Sequence, residues 1–216
     1  MNNDAIIFDI DGTLWNASPA SAKGWNIGLA KLGIDTKVTP EEIESVAGNP
    51  NETCVEILLP GLQKQYPELM DTLNDCESEV LTSDGGTFYD GAIDGVKKLA
   101  GSHKIFLVSN CQDWYMKLFL EFSGLQPVLA GFDCHGMSDA PKHEMLTKIK
   151  RDYSLHNPVY IGDTQGDETA ASLAGMDFIH VSHGFGSSAK ETINVDSFAE
   201  LLDYFEGQKN VARSLT

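Results

Sequence analysis

Short, continuous apolar runs recur along the chain and end in polar residues. Ala5-Ile6-Ile7-Phe8 runs into Asp9, residues 104–108 (K-I-F-L-V) into Ser109, and Val159-Tyr160-Ile161 into Gly162-Asp163. Phe178-Ile179-His180-Val181 is a fourth run and Val128-Leu129-Ala130 a weaker fifth. Runs of this length without alternation suit strands buried on both faces of a parallel sheet. Helical stripes lie between them. Residues 91–101 carry Val96 and Leu99, and Asp113 is placed to cap a helix holding Leu118, Phe119 and Phe122 that Gly124 stops. Residues 141–153 carry Met145, Leu146 and Ile149, and 166–174 end at Gly175. Asp196 is placed to cap a last helix with Phe198, Leu201, Leu202 and Phe205 on one face. Strands alternating with helices predict an α/β fold, a parallel sheet covered on both faces.

Residues 16–87 break this rhythm, and no strand pattern is found there. Trp25, Leu29 and Leu32 recur on one helical face. Thr39-Pro40-Glu41-Glu42 is a helix start with Thr39 as cap, and Leu69, Leu73, Cys76 and Val80 form another stripe. The expected organisation is a discontinuous core over 1–15 and 88–207, an all-helical insertion at 16–87, and a frayed tail at 208–216. An insertion at the carboxyl end of a parallel strand sits over the ligand crevice of such a sheet, so it reads as a lid.

The 216 residues allow one domain or a core plus an insertion. Fifteen Lys and Arg against 32 Asp and Glu give a net charge of −17. That argues against nucleic acid as a partner and against docking on anionic lipid. No apolar run approaches the ~20 residues of a membrane span. The chain starts with no basic region and no long apolar stretch, so a cytoplasmic protein without a signal peptide is expected. The four cysteines, Cys54, Cys76, Cys111 and Cys134, show no C-x-x-C spacing and read as reduced and packed. Cys134-His135 with His143 nearby is not taken for a metal site, and His103, His156, His180 and His183 read as structural or surface histidines.

In a parallel sheet all carboxyl ends lie at one edge, so the residues that end the strands converge. Here they are Asp9-Ile10-Asp11-Gly12-Thr13, Ser109-Asn110 and Gly162-Asp163-Thr164-Gln165-Gly166-Asp167, with Lys142 at a helix start. Asp9, Asp11, Asp163 and Asp167 would gather negative charge, and two unit charges ~4 Å apart repel by about 4 kcal/mol at an effective dielectric of about 20. Such a cluster takes up protons or binds a cation. Oxygen-only ligands suit Mg²⁺, which binds one or two carboxylates plus a substrate phosphate. On this reading Asp9 is a carboxylate nucleophile that forms an aspartyl-phosphate. Asp11 is general acid to the leaving oxygen, then general base to water. Gly12 lets the backbone approach the phosphate and offers an N–H. Thr13, Ser109 and Asn110 supply neutral donors, and Lys142 stabilises charge during transfer. Each piece alone also reads as punctuation: an Asp/Gly turn, a helix cap, an exposed first-turn lysine. Their recurrence in this order at strand ends favours the chemical reading.

The set resembles the haloacid dehalogenase-like hydrolase superfamily, in particular its phosphoglycolate-phosphatase-like branch with a helical cap, over nearly the whole chain. Asp9-Ile10-Asp11-Gly12-Thr13-Leu14 is similar to the family's first motif, Ser109-Asn110 to the second, Lys142 to the third and Gly162-Asp163-Thr164-Gln165-Gly166-Asp167 to the fourth. The resemblance implies a Rossmann-like core with the cap inserted after the first strand. It implies Mg²⁺ held by Asp9, the backbone carbonyl of Asp11, and Asp163, with Asp167 acting through water or by orienting Lys142. It also implies phosphate-ester chemistry, since the dehalogenase branch lacks a carboxylate at the Asp11 position and phosphonatases and P-type pumps carry other residues there. The chain departs from the pattern at Asn16-Ala17, where many relatives read Asp-Ser near the hinge. It departs again at Lys142, preceded by Pro141 and followed by His143 where relatives often place proline after the lysine.

The implied function is a Mg²⁺-dependent phosphatase of a small phosphorylated metabolite. A phosphosugar mutase of the beta-phosphoglucomutase type, in which a sugar hydroxyl replaces water, is the alternative. A non-catalytic Mg²⁺- or phosphate-binding regulator is a third reading. The two arginines, Arg151 and Arg213, lie outside 16–87, and that segment holds four lysines against twelve acids, a net charge of −8. A second phosphate or a carboxylate on the leaving group would favour a bidentate arginine. A leaving group of low charge, such as a sugar or other polyol, is therefore expected. Lys23 and the loop Gly48-Asn49-Pro50-Asn51 are the candidates for contacting it, and Gly184-Phe185-Gly186 reads as a turn at the same edge.

Overall fold

The structure, a computed structural model, describes residues 3–187 and 193–214, with side chains described as far as 207. Strands β1 (Ala5–Phe8), β4 (Lys104–Ser109), β5 (Leu129–Cys134), β6 (Pro158–Gly162), β7 (Asp177–Val181) and β8 (Ile193–Val195) form a six-stranded sheet in the order β5-β4-β1-β6-β7-β8. Every neighbouring pair is parallel, with Ile6 opposite Ile105 on one side and Val159 on the other. The chain builds outward from β1 through β4 to β5, then crosses to β6 on the opposite side. This reversal opens a crevice at the carboxyl end of β1, where ligands bind in open α/β sheets.

Alternation along the strands feeds two cores. Ile6, Phe8, Leu107 and Ile161 pack with α6 (Ala92–Ala100), α7 (Asp113–Ser123) and α11 (Phe198–Ser214) through Val96, Phe119 and Phe198. Ala5, Ile7, Phe106 and Tyr160 face α9 (Lys142–Asp152) and α10 (Gln165–Leu173) through Leu146, Ile149 and Ala171. The Rossmann-like α/β fold expected from the strand–helix alternation is what forms.

Between β1 and β4 lie the helices α1 (Ser18–Lys31), α2 (Pro40–Val46), α3 (Asn51–Leu58), α4 (Leu62–Gln65) and α5 (Leu69–Asp84). They pack around their own apolar cluster, which includes Trp25, Leu29, Val55, Leu69 and Leu73. Thr39 caps α2 with a reciprocal Glu42 contact, as its spacing predicts. The segment is joined to the core by an antiparallel ribbon, β2 (Trp15–Asn16) and β3 (Thr87–Phe88), which periodicity missed because two residues define no period. Trp15 fixes the ribbon, stacking on Phe88 at 5.7 Å and meeting the edge of Phe119 at 5.1 Å.

Several boundaries differ from expectation. The fifth strand runs on to Cys134 and continues into the short helix α8 (His135–Ser138). Asp113 is the first residue of α7 and pairs with Lys117 at 2.8 Å instead of capping. Ser197 caps α11, accepting the Glu200 N–H at 3.2 Å, while Glu200 reaches back to the Asp196 N–H at 2.7 Å. That helix continues to Ser214 where a frayed tail was expected from 208. A mid-helix glycine such as Gly207 costs only about 1 kcal/mol, and good helix formers follow it. Residues 215–216 lie outside the described residues. The cysteines are free, with Cys54, Cys76 and Cys134 buried. Among the described residues, no helix is long and apolar enough to cross a membrane.

Candidate active site

The residue after β1 carries the first carboxylate. Asp9 extends the ladder by one bond, its N–H donating to Ile161 O at 2.9 Å, and its side chain is buried. The chain then turns sharply, with Leu14 N–H donating to Ile10 O at 2.8 Å. Gly12 allows this turn. Its φ is +76°, and a Cβ there would lie 2.2 Å from Asp163 Oδ2.

Asp9, Asp163 and Asp167 each present a carboxylate oxygen within 4.8 Å of the others. Lys142, the first residue of α9, enters this cluster from the side, with Nζ 2.6 Å from Asp167 Oδ1 and 3.2 Å from Asp9 Oδ1. Burial pushes Asp9 well above the usual carboxylate range against the pull of Lys142, and the charges of Asp167 and Asp163 push the same way. Burial, then Asp167, raises Asp163 to about 7. Burial works against both ions of the Lys142–Asp167 pair. Their mutual attraction outweighs it, so Asp167 is lowered and Lys142 raised.

One ammonium among three carboxylates leaves negative charge uncompensated in a buried place. That is the condition under which a divalent cation is bound. The donor set is all oxygen, and Asp9 Oδ1 is buried without a hydrogen bond, its contact with Lys142 being poorly aligned. The residues therefore fit Mg²⁺. Asp167 is the least available of the three. Its Oδ1 accepts from Lys142 and from Tyr160 Oη at 3.3 Å, and its Oδ2 accepts from Thr164 N at 3.0 Å and Thr164 Oγ1 at 2.7 Å. Asp163 is held by the Thr13 hydroxyl at 3.2 Å and the Phe185 N–H at 2.8 Å. His180 Nε2 donates to its backbone carbonyl at 2.9 Å.

The Asp11 carboxylate lies apart from the cluster and accepts the Tyr115 hydroxyl of α7. Burial raises it to about 6, with the Tyr115 bond pulling down. The carboxylate expected to add its charge to the aspartate cluster thus lines the cleft instead. Strand alternation would put Asp9 and Asp11 on one face, and the turn closed by the Ile10 carbonyl breaks it.

Several expected phosphate donors are engaged by the protein. Gly12 N–H donates to Trp15 O at 3.0 Å, because the turn closes onto the ribbon. The Thr13 hydroxyl is on Asp163. Asn110 Nδ2 donates to Gly48 O at 2.7 Å, tying the sheet edge to the helical insertion. Ser109 Oγ accepts the Cys111 N–H at 3.3 Å, a bond that does not use its own O–H as a donor. Lys23 is not brought to the site. It is exposed and pairs with Asp84 at 2.6 Å, because it sits two residues, about 200° round the helix, from the cleft-facing Ser21 and Trp25. At the hinge, Asn16 Oδ1 accepts the Ser18 N–H at 2.8 Å and its Nδ2 donates to Glu44 at 2.9 Å.

A cleft of about 750 Å³, open solvent at its mouth included, joins this edge to the insertion and is lined by Asp9, Asp11, Ser109, Gly48, Asn49 and Asn51 among others. Tyr115, Tyr160, Trp114 and Glu77 were not singled out from the sequence. Glu77 left a signal, an acid four residues after Leu73 in the apolar stripe of α5. Tyr160 left none, since it reads as one more strand residue. The Gly184-Phe185-Gly186 turn does reach the edge. A Cβ on Gly184 would lie 2.3 Å from Asp163 Cβ.

The family model for haloacid dehalogenase-like hydrolases matches residues 6–181. A phosphoglycolate phosphatase of Psychrobacter arcticus is 29% identical over 227 residues, covering 94% of this chain and 96% of that protein. One from Rhodobacter capsulatus is 26% identical, covering 84% and 85%. Among solved structures, a haloacid dehalogenase-like family hydrolase from Streptococcus pneumoniae superposes with a TM-score of 0.80 at 20% identity, over 94% of this chain and 98% of that one. A protein described as a predicted phosphoglycolate phosphatase from Haemophilus somnus gives 0.81 at 17%, with the same coverage. The matched span takes in every strand from β1 to β7 and the buried aspartates that end them, and on that ground the chain belongs to the haloacid dehalogenase-like hydrolases.

Proposed function

We propose that the chain is a Mg²⁺-dependent phosphomonoesterase of a small phosphorylated metabolite, working through an aspartyl-phosphate on Asp9, with 16–87 as a cap over the core of 1–15 and 88–207. The observation that carries this reading is the position of Asp9. It is a buried carboxylate beside an ammonium and two further aspartates, lining a cleft that Asp11 also lines. An Asp9 oxygen attacks phosphorus as the bond to the leaving oxygen breaks, and protonated Asp11 gives its proton to that oxygen. Ionised Asp11 then takes a proton from water, which attacks the phosphoryl group and returns Asp9 to its starting form. Tyr115 holds Asp11 towards the cleft. Lys142 draws Asp9 towards the anion against burial and is itself oriented by Asp167.

Asp9, Asp163 and the Asp11 carbonyl would hold Mg²⁺, which when bound offsets charge on the transferring phosphoryl group. The names of the relatives bring phosphoglycolate forward as a substrate to be tested. A mutase would use the same nucleophile but needs a cation for a second phosphate. Among the described residues lining the cleft there is no lysine or arginine, which favours hydrolysis. The test is phosphate release from an aryl phosphate with and without Mg²⁺, for the wild type and Asp9→Asn. Turnover that needs the metal and is abolished in the variant is expected. Activity surviving in Asp9→Asn would refute the proposal.

A further inference from the structure

The cleft ends, on the insertion side, in a carboxylate that the proposed chemistry does not use. Glu77 of α5 is buried and lines the same space as Asp9 and Asp11. It is fixed in place from α1. Trp25 Nε1 donates to its Oε2 at 2.8 Å, and the Ser21 hydroxyl donates to it as well. The helices meet closely there, since a Cβ on Gly24 would come within 2.5 Å of Glu77 Cα. Both donors are neutral, so the carboxylate has no ionic partner among them. Lys142 stands behind Asp9, committed to Asp9 and Asp167.

The opposite wall adds two groups. Trp114 Nε1 and Asn110 Oδ1 are buried without hydrogen-bond partners, one a donor and the other an acceptor. A ligand filling the cleft therefore meets two sets of acceptors, Glu77 and Asn110 Oδ1, and one indole donor. A carboxylate on the leaving group would answer the indole but be set against the Glu77 carboxylate in a poorly hydrated space, a like-charge juxtaposition that suppresses binding. An ammonium would answer Glu77 and leave the indole N–H unpaired. Hydroxyls both donate and accept, and so answer all three.

We propose that the cleft selects phosphate esters whose leaving alcohol is an uncharged polyol, with Glu77 as the residue that reads its hydroxyls and turns away anionic leaving groups such as glycolate. The inference rests on the phosphomonoesterase reading and adds the substrate class to it.

Matched pairs test it on the full chain with Mg²⁺. Glycerol phosphate is compared with phosphoglycerate, and hydroxyethyl phosphate with phosphoglycolate. Each pair differs by a hydroxymethyl group in place of a carboxylate. An aryl phosphate reports phosphomonoesterase activity independently. The alcohol member should lead in kcat/KM by at least about a hundredfold in each pair. Glu77→Gln, which keeps an acceptor for Trp25 but removes the charge, should narrow that ratio by at least about tenfold, through KM. Should the wild type cleave the aryl phosphate yet favour the carboxylate members, the polyol inference falls and the phosphomonoesterase reading stands. No cleavage of the aryl phosphate would bring down both. An unchanged ratio in folded Glu77→Gln would remove Glu77 from the role, and if that variant does not fold, the wild-type ratios decide.

Discussion

Replacing Lys142 by methionine removes the only side-chain cation in contact with the aspartate cluster among the described residues, while keeping most of its volume. At an effective dielectric of about 20, an ammonium 2.6 Å from Asp167 Oδ1 and 3.2 Å from Asp9 Oδ1 attracts them by about 6 and about 5 kcal/mol. Desolvation of the three groups offsets several kcal/mol of this, and breaking such a buried cluster from one side costs about 3–5 kcal/mol. In a chain of this length that lowers the melting temperature by about 10 °C. Activity should fall further than stability, by about 10²–10³-fold in kcat, because Lys142 supplies the pull towards the anion that opposes burial at Asp9. Urea denaturation and aryl phosphate hydrolysis measure the two effects. Adding Asp167→Asn should recover part of the stability, since it neutralises a stranded carboxylate, and none of the activity. A single variant that melts within about 2 °C of the wild type, or a double variant less stable than the single, would refute the electrostatic account.

Tyr115→Phe removes the hydroxyl that pulls Asp11 down against burial, so Asp11 titrates above its value of about 6. The alkaline limb of the kcat/KM profile, which needs Asp11 protonated, should move to higher pH, and a shift to lower pH contradicts the assignment. Burial raises Glu77, with Ser21 and Trp25 opposing it. A carboxyl raised on folding stabilises the native state least at high pH, and this loss sets in as pH rises through the unfolded value towards the folded one. Glu77→Gln should therefore gain stability relative to the wild type as pH rises above the ordinary carboxyl value of 4.5, read by denaturation at each pH. Gly12→Ala places a Cβ against Asp163 Oδ2 at a positive φ. The Mg²⁺ concentration for half-maximal activity should rise at least about tenfold, and an unchanged requirement would show that Asp163 is not a ligand.

Most of the frame is legible because buried strands must be apolar throughout and parallel strands must end together. Those two constraints bring Asp9 and Asp163 to one place from distant parts of the chain, and the first turn of α10 adds Asp167. What escapes the sequence is decided by closure in three dimensions. The N–H of Gly12 and the amide of Asn110 look like free donors until the ribbon and the Gly48 loop supply their acceptors. Tyr115 and Tyr160 are hidden because their rings satisfy the apolar pattern while only their hydroxyls reach Asp11 and Asp167. Lys23 was favoured by charge alone, and helical phase puts it on the outer face. The ribbon and β8 are too short for any periodicity to register.

The two strands of the ribbon pair residue for residue, Asn16 with Thr87 and Trp15 with Phe88. The polypeptide thus departs from the sheet and comes back through a single doorway, about 5 Å wide. Everything between is a side branch that no sheet strand threads, so it can be exchanged for another module with neighbouring ends while the aspartate edge keeps its wiring. An exchange at this doorway would change the insertion's wall of the cleft and leave the aspartates of the sheet edge where they are.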